Sequence, residues 1–428
     1  MLRVLLITRE PWRDDSNEGS VLSSWFENQP MELAQIYCKP GLPENKCCKR
    51  FFQLTDKMAA KNLLKGEPMG AVIQPDAQAE TDGKPATEQE KKSFYDFFRR
   101  NNWACFFLAQ ECLWGLANWK SKALEAFVDD FAPDVIVAPL CYSRYVMAIQ
   151  RWVAQRLKKP MVGIVWDDLY SLNERHISPI YWLNRFLQRR SVKKTVDMCS
   201  RLYSLSPQQA EAFQQQFDRP FGVLPKVGTQ QQEITKPEDT VRFLYAGGIY
   251  YGRMGTLEQI AQTLARLNQQ GYPCQLDVYT NSPDAQSLET TGACCVHAAV
   301  PAEELRQLYG ASHVALHVEG FERTFAQKTR LSFSSKIVDC LSSGCAVLAV
   351  CPEGNCGYRY LKESQAAVCV DQLSQLPASV EMLVKDADQR ALWTERAAAC
   401  MQANHRAEVV REVIRRELSG AATNACNE

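Results

Sequence analysis

The chain lacks a CxxC pair, a long N-terminal apolar run, an excess of either charge and more than a few histidines, and each absence narrows what it can be. Lysine plus arginine and aspartate plus glutamate both number 49, so no global field draws the molecule to nucleic acid, and any anion site must be local. The first residues, MLRVLLITREPW, turn polar by Thr8, too soon for a signal segment or a membrane span. Cysteine is not scarce at 17 residues, but the number is odd and the spacing irregular. The expectation is reduced thiols in a cytosol. Cys345, Cys351 and Cys356 lie near one another in sequence, yet without CxxC spacing they predict plain thiols and no structural metal.

What is present is an alternation of short apolar runs with longer helical patterns, the mark of parallel strands joined by crossover helices. At 428 residues the chain exceeds what one core usually serves, so two domains of roughly 200 residues are expected. RVLLIT (3–8), DVIVAP (134–139), MVGIVW (161–166), RLYSLS (201–206) and FGVLPK (221–226) read as strands of a first Rossmann-like domain, 1–225. PQQAEAFQQQF (207–217) reads as a helix with proline in its first turn. A polar stretch, 226–240, reads as a linker. VRFLYA (241–246) opens a second doubly wound domain, 241–400, with strands at 274–280, 313–319 and 345–350. Its first helix carries Leu257, Ile260, Leu264 and Leu267 on one stripe. A C-terminal helix and tail, 401–428, either closes the second domain or crosses back to the first.

Two α/β domains of this kind leave a central cleft between the carboxyl ends of their sheets, where ligands bind. TRLSFSSKIVDCLSSGCAVLAV (329–350) contains a short helix beginning near Lys336, with Ser334 and Ser335 at its N-cap and Gly344 after its last turn. Free N–H groups, hydroxyls and a first-turn lysine suit a bound anion, and Asp339 a ribose diol. An ordinary capped helix with a Lys336–Asp339 surface pair fits the same spacing. In YAGGIYYGRMGTLEQI, Gly247 and Gly248 let the backbone approach a ligand, and Arg253 is placed to reach an anion. The pattern is neither GxGxxG nor a P-loop, so neither a dinucleotide cofactor nor ATP is indicated.

These blocks, with HVALHVEGF before the serine-rich segment and VLLITREPWRDDSNEGSVLSSWF and ELAQIYCKP near the start, resemble glycosyltransferase family 4 of the GT-B fold, of the bacterial surface-polysaccharide type. The resemblance covers most of the chain. It implies transfer of a sugar, with retention, from a nucleotide-diphosphate sugar on the second domain to a glycan or lipid-linked glycan acceptor on the first. By position it implies that Arg253 neutralises the departing diphosphate, Ser334 and Ser335 contact it, Asp339 holds the ribose and the backbone from Ala298 to Val300 lines the base. The residue eight before Asp339 is Leu331, so the first glutamate of the family's Glu-x7-Glu pair is missing, and Glu319 stands as its substitute. The lysine usual after the Arg253 position is also absent, which leaves Lys336 or Lys328 as the second cation.

On the acceptor side the expected residues are Asn17 and Gly19, after the first strand, and Asp167 and Asp168. Asp167 and Asp168 do not form the Asp-x-Asp of metal-dependent transferases, so neither metal nor cofactor is expected. The five histidines, His313 and His317 included, read as packed or surface residues. Residues 74–92 read as a mobile loop. The aromatic stretch 91–119, rich in Phe, Trp and flanking cations, reads as a core helix or as a membrane contact. The expected setting is the cytoplasm, at the inner face of a plasma membrane, in cell-envelope or capsular glycan synthesis. Two other readings remain: a sugar-nucleotide epimerase on the same fold, and a non-catalytic GT-B partner subunit.

Overall fold

The computed structural model describes residues 1–74, 104–173, 176–229, 236 and 239–424. The loop expected from residue 74, the part of the aromatic stretch holding Phe97 and Phe98, and most of the expected linker lie outside them. The first half builds β1 (Leu2–Thr8), α1 (Asn17–Phe26), β2 (Met31–Tyr37), β3 (Arg50–Gln53), α2 (Asp56–Lys65), β4 (Ala71–Ile73), α3 (Ala104–Leu116) and α4 (Lys122–Phe131). It continues through β5 (Val135–Pro139), α5 (Arg144–Leu157), β6 (Met161–Ile164), α6 (Pro179–Met198), β7 (Arg201–Ser204), α7 (Pro207–Phe217) and β8 (Gly222–Val223). These eight strands form one sheet, ordered β4-β3-β2-β1-β5-β6-β7-β8, parallel except for β4.

The second half builds β9 (Val241–Ala246), α8 (Arg253–Gln269), β10 (Cys274–Tyr279), β11 (Cys294–His297), α9 (Ala302–Gly310), β12 (Val314–Val318), α10 (Arg323–Thr329) and α11 (Lys336–Leu341). Then come β13 (Ala346–Val350), α12 (Cys356–Glu363), β14 (Val368–Val370), α13 (Leu376–Lys385), α14 (Ala387–Asn404) and α15 (Ala407–Asn424). Its six strands run parallel in the order β11-β10-β9-β12-β13-β14. Both sheets place their longest apolar runs centrally. Every residue of β12 and β13 is buried, as sequence without alternation requires when helices cover both faces.

Two features join the halves. The expected linker begins as a docked strap: Lys226 and Val227 are buried, the Val227 amide donates to Ser24 Oγ at 3.3 Å and the Gly228 amide to the His405 carbonyl at 2.8 Å. FGVLPK accordingly keeps only two strand residues, and the Pro225 carbonyl accepts from Trp25 Nε1 at 2.8 Å. The last helix, α15, crosses back to the first domain. It buries Val410, Ile414, Leu418 and Ala421, and ties Arg411 to Glu27 at 2.6 Å and Glu417 to Arg201 and to the Tyr203 hydroxyl at 2.5 and 2.6 Å.

The described part of the aromatic stretch is not a core helix. α3 seals Trp114 against Tyr145, rings stacked 4.2 Å apart, and leaves Phe106, Phe107 and Leu116 exposed. Among the described residues no helix is long and apolar enough to cross a membrane. Cys345, Cys351 and Cys356 are buried thiols, and no group of three candidate ligands among the described residues is placed to hold a metal ion.

Candidate functional site

The C-terminal edge of the second sheet gathers a compact charged group. Where β9 ends, Gly247 adopts φ 132°, its amide donates to the Tyr279 carbonyl at 2.8 Å, and the Tyr245 hydroxyl closes the turn on the Gly248 carbonyl at 2.7 Å. A Cβ on Gly247 would fall 1.7 Å from Lys336 Nζ. The ammonium therefore occupies the space that any other residue's side chain would need, and it lies 5.2 Å from the Tyr245 ring centre. Burial, and after it the neighbouring Arg253, bring the Lys336 pKa down to about 8, with Glu319 working the other way.

Arg253, the first residue of α8, makes a two-pronged pair with Glu319, Nε at 3.0 Å and Nη2 at 2.8 Å, and donates a third bond to the Gly248 carbonyl at 3.2 Å. Burial opposes the guanidinium charge, but Glu319 overcomes it and holds the pKa above its ordinary value. Glu319 sits one residue past β12 with its side chain almost wholly covered. Its carbonyl accepts from Thr256 Oγ1 at 2.9 Å. Arg253, Glu319 and Lys336, expected together from three separated segments, are thus brought together. With one carboxylate against two cations, the group keeps one net positive charge for a ligand.

His317 completes the group, and no spacing or motif places it there. It lies two residues before Glu319, hence on the same face of the strand. Only 3% of it is exposed, its Nε2 has no hydrogen-bond partner, and burial together with Arg253 and Lys336 drives its pKa down to about 3. The ring is neutral, as expected of a packed histidine, but a buried ring nitrogen without a partner is costly and calls for one.

The serine-rich segment differs from expectation in detail. Ser335 precedes α11 in helical conformation and its side chain makes no cap bond; the Ile337 and Val338 amides instead donate to the Ser334 and Ser335 carbonyls at 3.0 and 3.2 Å. The expected N-cap role of Ser334 and Ser335 is therefore absent. Asp339 pairs across the domain junction with Lys226 Nζ at 2.6 Å, so the alternative Lys336–Asp339 surface pair is not formed. Val300 lies in the loop after β11, two strands from Gly247, which at the usual strand spacing is about 10 Å.

Across the cleft the first domain offers fewer free groups than expected. Asp168 is buried and spent on its own turn, accepting from the Tyr170 and Ser171 amides at 3.2 and 2.9 Å and from the Ser171 hydroxyl. Its carboxylate holds the turn after β6, the strand-end role that the same residues also allow. Asp167 accepts from Ser332 Oγ of the second domain at 2.9 Å, and crowding by protein, with Asp168 adding to it, raises its pKa although water still reaches it. Asn17 is exposed at the start of α1. Gly19 has a local reason to be glycine: a Cβ there would lie 1.9 Å from the Arg13 carbonyl, and its amide already serves the Ser16 cap at 3.0 Å. Glu18 lies between them on the same first turn of α1. Desolvation in the cleft, with Glu10 and Asp167 adding to it and Arg9 opposing, raises its pKa to about 8. Its burial sets it apart, and that depends on segments as distant in the chain as Asp167, 149 positions away by number.

No family model and no curated protein matches the chain in sequence. Solved structures do match in fold. The chain is similar to a sucrose-phosphate synthase from Thermosynechococcus elongatus, with TM-score 0.59 and 11% identity over 98% of this chain and all of that one. It is similar to a UDP-forming α,α-trehalose-phosphate synthase from Burkholderia xenovorans, with TM-score 0.58 and 9% identity over 97% of this chain and 100% of that one. A third, WaaG, a glycosyltransferase involved in lipopolysaccharide biosynthesis, aligns with TM-score 0.54 and 12% identity over 97% and 99% of the two chains. At such identities the likeness concerns the fold, which is GT-B: two parallel Rossmann-like sheets.

Proposed function

We propose that the chain is a glycosyltransferase that moves a sugar from a nucleotide-diphosphate sugar to an acceptor hydroxyl, with retention, in the synthesis of a cell-envelope glycan, as the resemblance to family 4 implies. The observation that carries this reading is the Lys336 ammonium lodged in the space left by Gly247, beside Arg253 and Glu319, at the carboxyl edge of the second sheet. A cation held where a backbone can approach a ligand, in a partly desolvated cleft, is suited to the charge that develops on a departing β-phosphate.

In this reading the bond between the anomeric carbon and the β-phosphate oxygen breaks, the acceptor oxygen bonds to that carbon, and the acceptor's proton passes to the leaving phosphate. Lys336 and Arg253 stabilise the leaving group, and Glu319 positions Arg253 and tempers its charge. His317 offers its unpaired nitrogen to the bound donor, and Asp167 and Glu18 face the acceptor. Asp339 reaches a ribose only by leaving or sharing Lys226. That pairing, with Leu331 in place of the first motif glutamate, favours a second reading in which the fold binds a partner transferase and catalyses nothing.

Thermal unfolding against a panel of nucleoside diphosphates separates the two, because a ligand of the native state raises its stability by mass action. The catalytic reading expects one nucleotide to raise the melting temperature, and the rise to vanish in Lys336→Met. Absence of any shift at millimolar nucleotide would move the assignment to the non-catalytic partner. If a nucleotide binds, release of a new free sugar without acceptor would instead assign an epimerase.

A further inference from the structure

We propose that Arg9 recognises a single negative charge on the acceptor, a carboxylate, so that the acceptor is an acidic sugar. That the charged sugar is the acceptor rests on the sugar-transfer reading, whereas the need for a charge rests on the first domain alone. Both sheets reverse direction once. In the second, the chain leaves β9 for β10 and β11 on one side and returns with β12 on the other, and the group around Gly247, Arg253 and Glu319 stands at that reversal. In the first it leaves β1 for β2, β3 and β4 and returns with β5. Such a reversal opens a crevice outside the carboxyl ends of the two diverging strands, where ligands of open α/β sheets bind. Arg9 is the first residue past β1, and Cys141 and Tyr145, which adjoin its guanidinium, come just after β5. The first domain's crevice is therefore built round an arginine.

Among the described residues nothing answers the charge of that arginine. Its Nε is buried without a hydrogen-bond partner, and so is the Tyr145 hydroxyl beside it. Cys38 and Cys141 also lie close to the guanidinium, but burial pushes both thiols up, Cys141 to about 12, and raises the Tyr145 phenol likewise. All three are neutral at pH 7. Of the carboxylates near it, Glu10 is paired with Lys39 at 3.2 Å, and Glu111 accepts from the Arg144 and Tyr145 amides at 2.6 and 3.1 Å. Glu18, which desolvation with Glu10 and Asp167 brings to about 8 against the pull of Arg9, is mostly protonated. A cation in a partly dry crevice with no acidic partner is costly to hold, and a bound anion removes that cost.

The charge balance also sets the size of the anion. Arg9 brings one positive charge and the Glu10 pair with Lys39 adds none, so a monoanion neutralises the crevice and a dianion leaves it negative. A sugar carboxylate carries one charge at pH 7 and fits the guanidinium fork, whereas a phosphate monoester carries about two. Protonated Glu18 supplies an O–H donor beside it. The donor diphosphate has its own cations, Arg253 and Lys336, at the reversal of the second sheet. Arg9 is thus left for the other substrate.

The test is calorimetric titration of the purified full chain at pH 7 with methyl glucuronide, methyl glucoside and glucose 6-phosphate, and separately with the panel of nucleoside diphosphates. The glucuronide should bind at least about tenfold more tightly than the neutral glucoside, and Arg9→Met should erase the difference. Arg9→Met should also melt no lower than the wild type, because it removes an unanswered charge, and should bind nucleotide unchanged. Equal binding of glucuronide and glucoside, or no binding of either, would overturn the proposal, and this comparison needs no variant to fold. Tighter binding of glucose 6-phosphate would overturn the choice of a carboxylate. A lower melting temperature in Arg9→Met with glucuronide binding retained would make the arginine a structural residue, and loss of nucleotide binding there would give it to the donor; either overturns the proposal. A wild-type chain that binds the glucuronide and no nucleotide would sink the sugar-transfer reading while upholding the anion site.

Discussion

Lys336 and Gly247 share one volume, and that gives the sharpest expectations at the scale of single residues. Gly247→Ala must displace the ammonium and also force an alanine to φ 132°, so nucleotide affinity should fall at least tenfold by calorimetry. With the Lys336 pKa brought to about 8, the cation is mostly charged at pH 7 and mostly neutral at pH 9. An anionic ligand favours the charged form, so affinity should weaken above pH 8 by up to about tenfold per unit, and Lys336→Met should remove that dependence. His317 titrates in the opposite sense for stability. Its folded pKa, about 3, lies below the ordinary 6.5, so the unfolded chain takes up the proton first and stability falls as pH drops below 6.5. Between pH 6.5 and 5 the loss should be roughly 1.5 kcal/mol in urea unfolding, and His317→Leu should flatten it. Arg253→Ala is a poor probe of catalysis, because stripping one partner from a buried pair costs about 3–5 kcal/mol. Arg253→Lys, which keeps the charge and loses the fork, separates activity from folding.

Helices and strands carry the next set of consequences. Glu111 on α3 holds the first amides of α5, so Glu111→Ala should destabilise the first domain by about 1–2 kcal/mol in chemical denaturation, as loss of an N-cap does. Strands were legible in the sequence wherever both faces are covered. VRFLYA, VALHV and AVLAV announce themselves as unbroken apolar runs and are central in their sheet. β2 was not recognised because MELAQIY is interrupted by Gln35, whose buried amide is satisfied from outside the strand, donating to Thr8 Oγ1 at 2.7 Å and the Glu10 carbonyl at 3.1 Å while its oxygen accepts from the Trp12 amide at 3.1 Å. A polar residue with three distant partners reads as a break when only neighbours are visible. The candidate site follows the same rule. Gly247, Arg253 and Lys336 were found because helix starts and glycine turns are local signals. The pairing of Arg253 with Glu319, the Lys226 contact to Asp339 and the isolation of His317 depend on which strands lie side by side, and no spacing reveals that.

On the scale of the whole molecule, the two domains are fastened at both ends of the second one. The strap at 226–228 is bonded to Ser24 and His405, and α15 lies over the first domain's α1, β5 and β6. Deleting residues 405–428 removes four buried apolar side chains and the Arg411 and Glu417 pairs, a loss of several kcal/mol at about 1.5–3 kcal/mol per side chain. Calorimetry should then show the first domain melting earlier than the second, where the full chain melts as one unit. The same helix sets an order of events on the ribosome. Everything else the first domain needs has been made by the time Val227 emerges, yet the helix that covers it is not translated until the second domain has been. At about 5–20 residues per second that interval lasts roughly 10–40 s. For that time the face waiting for Val410, Ile414 and Leu418 is bare, which makes the nascent chain, rather than the finished protein, the form most in need of a chaperone.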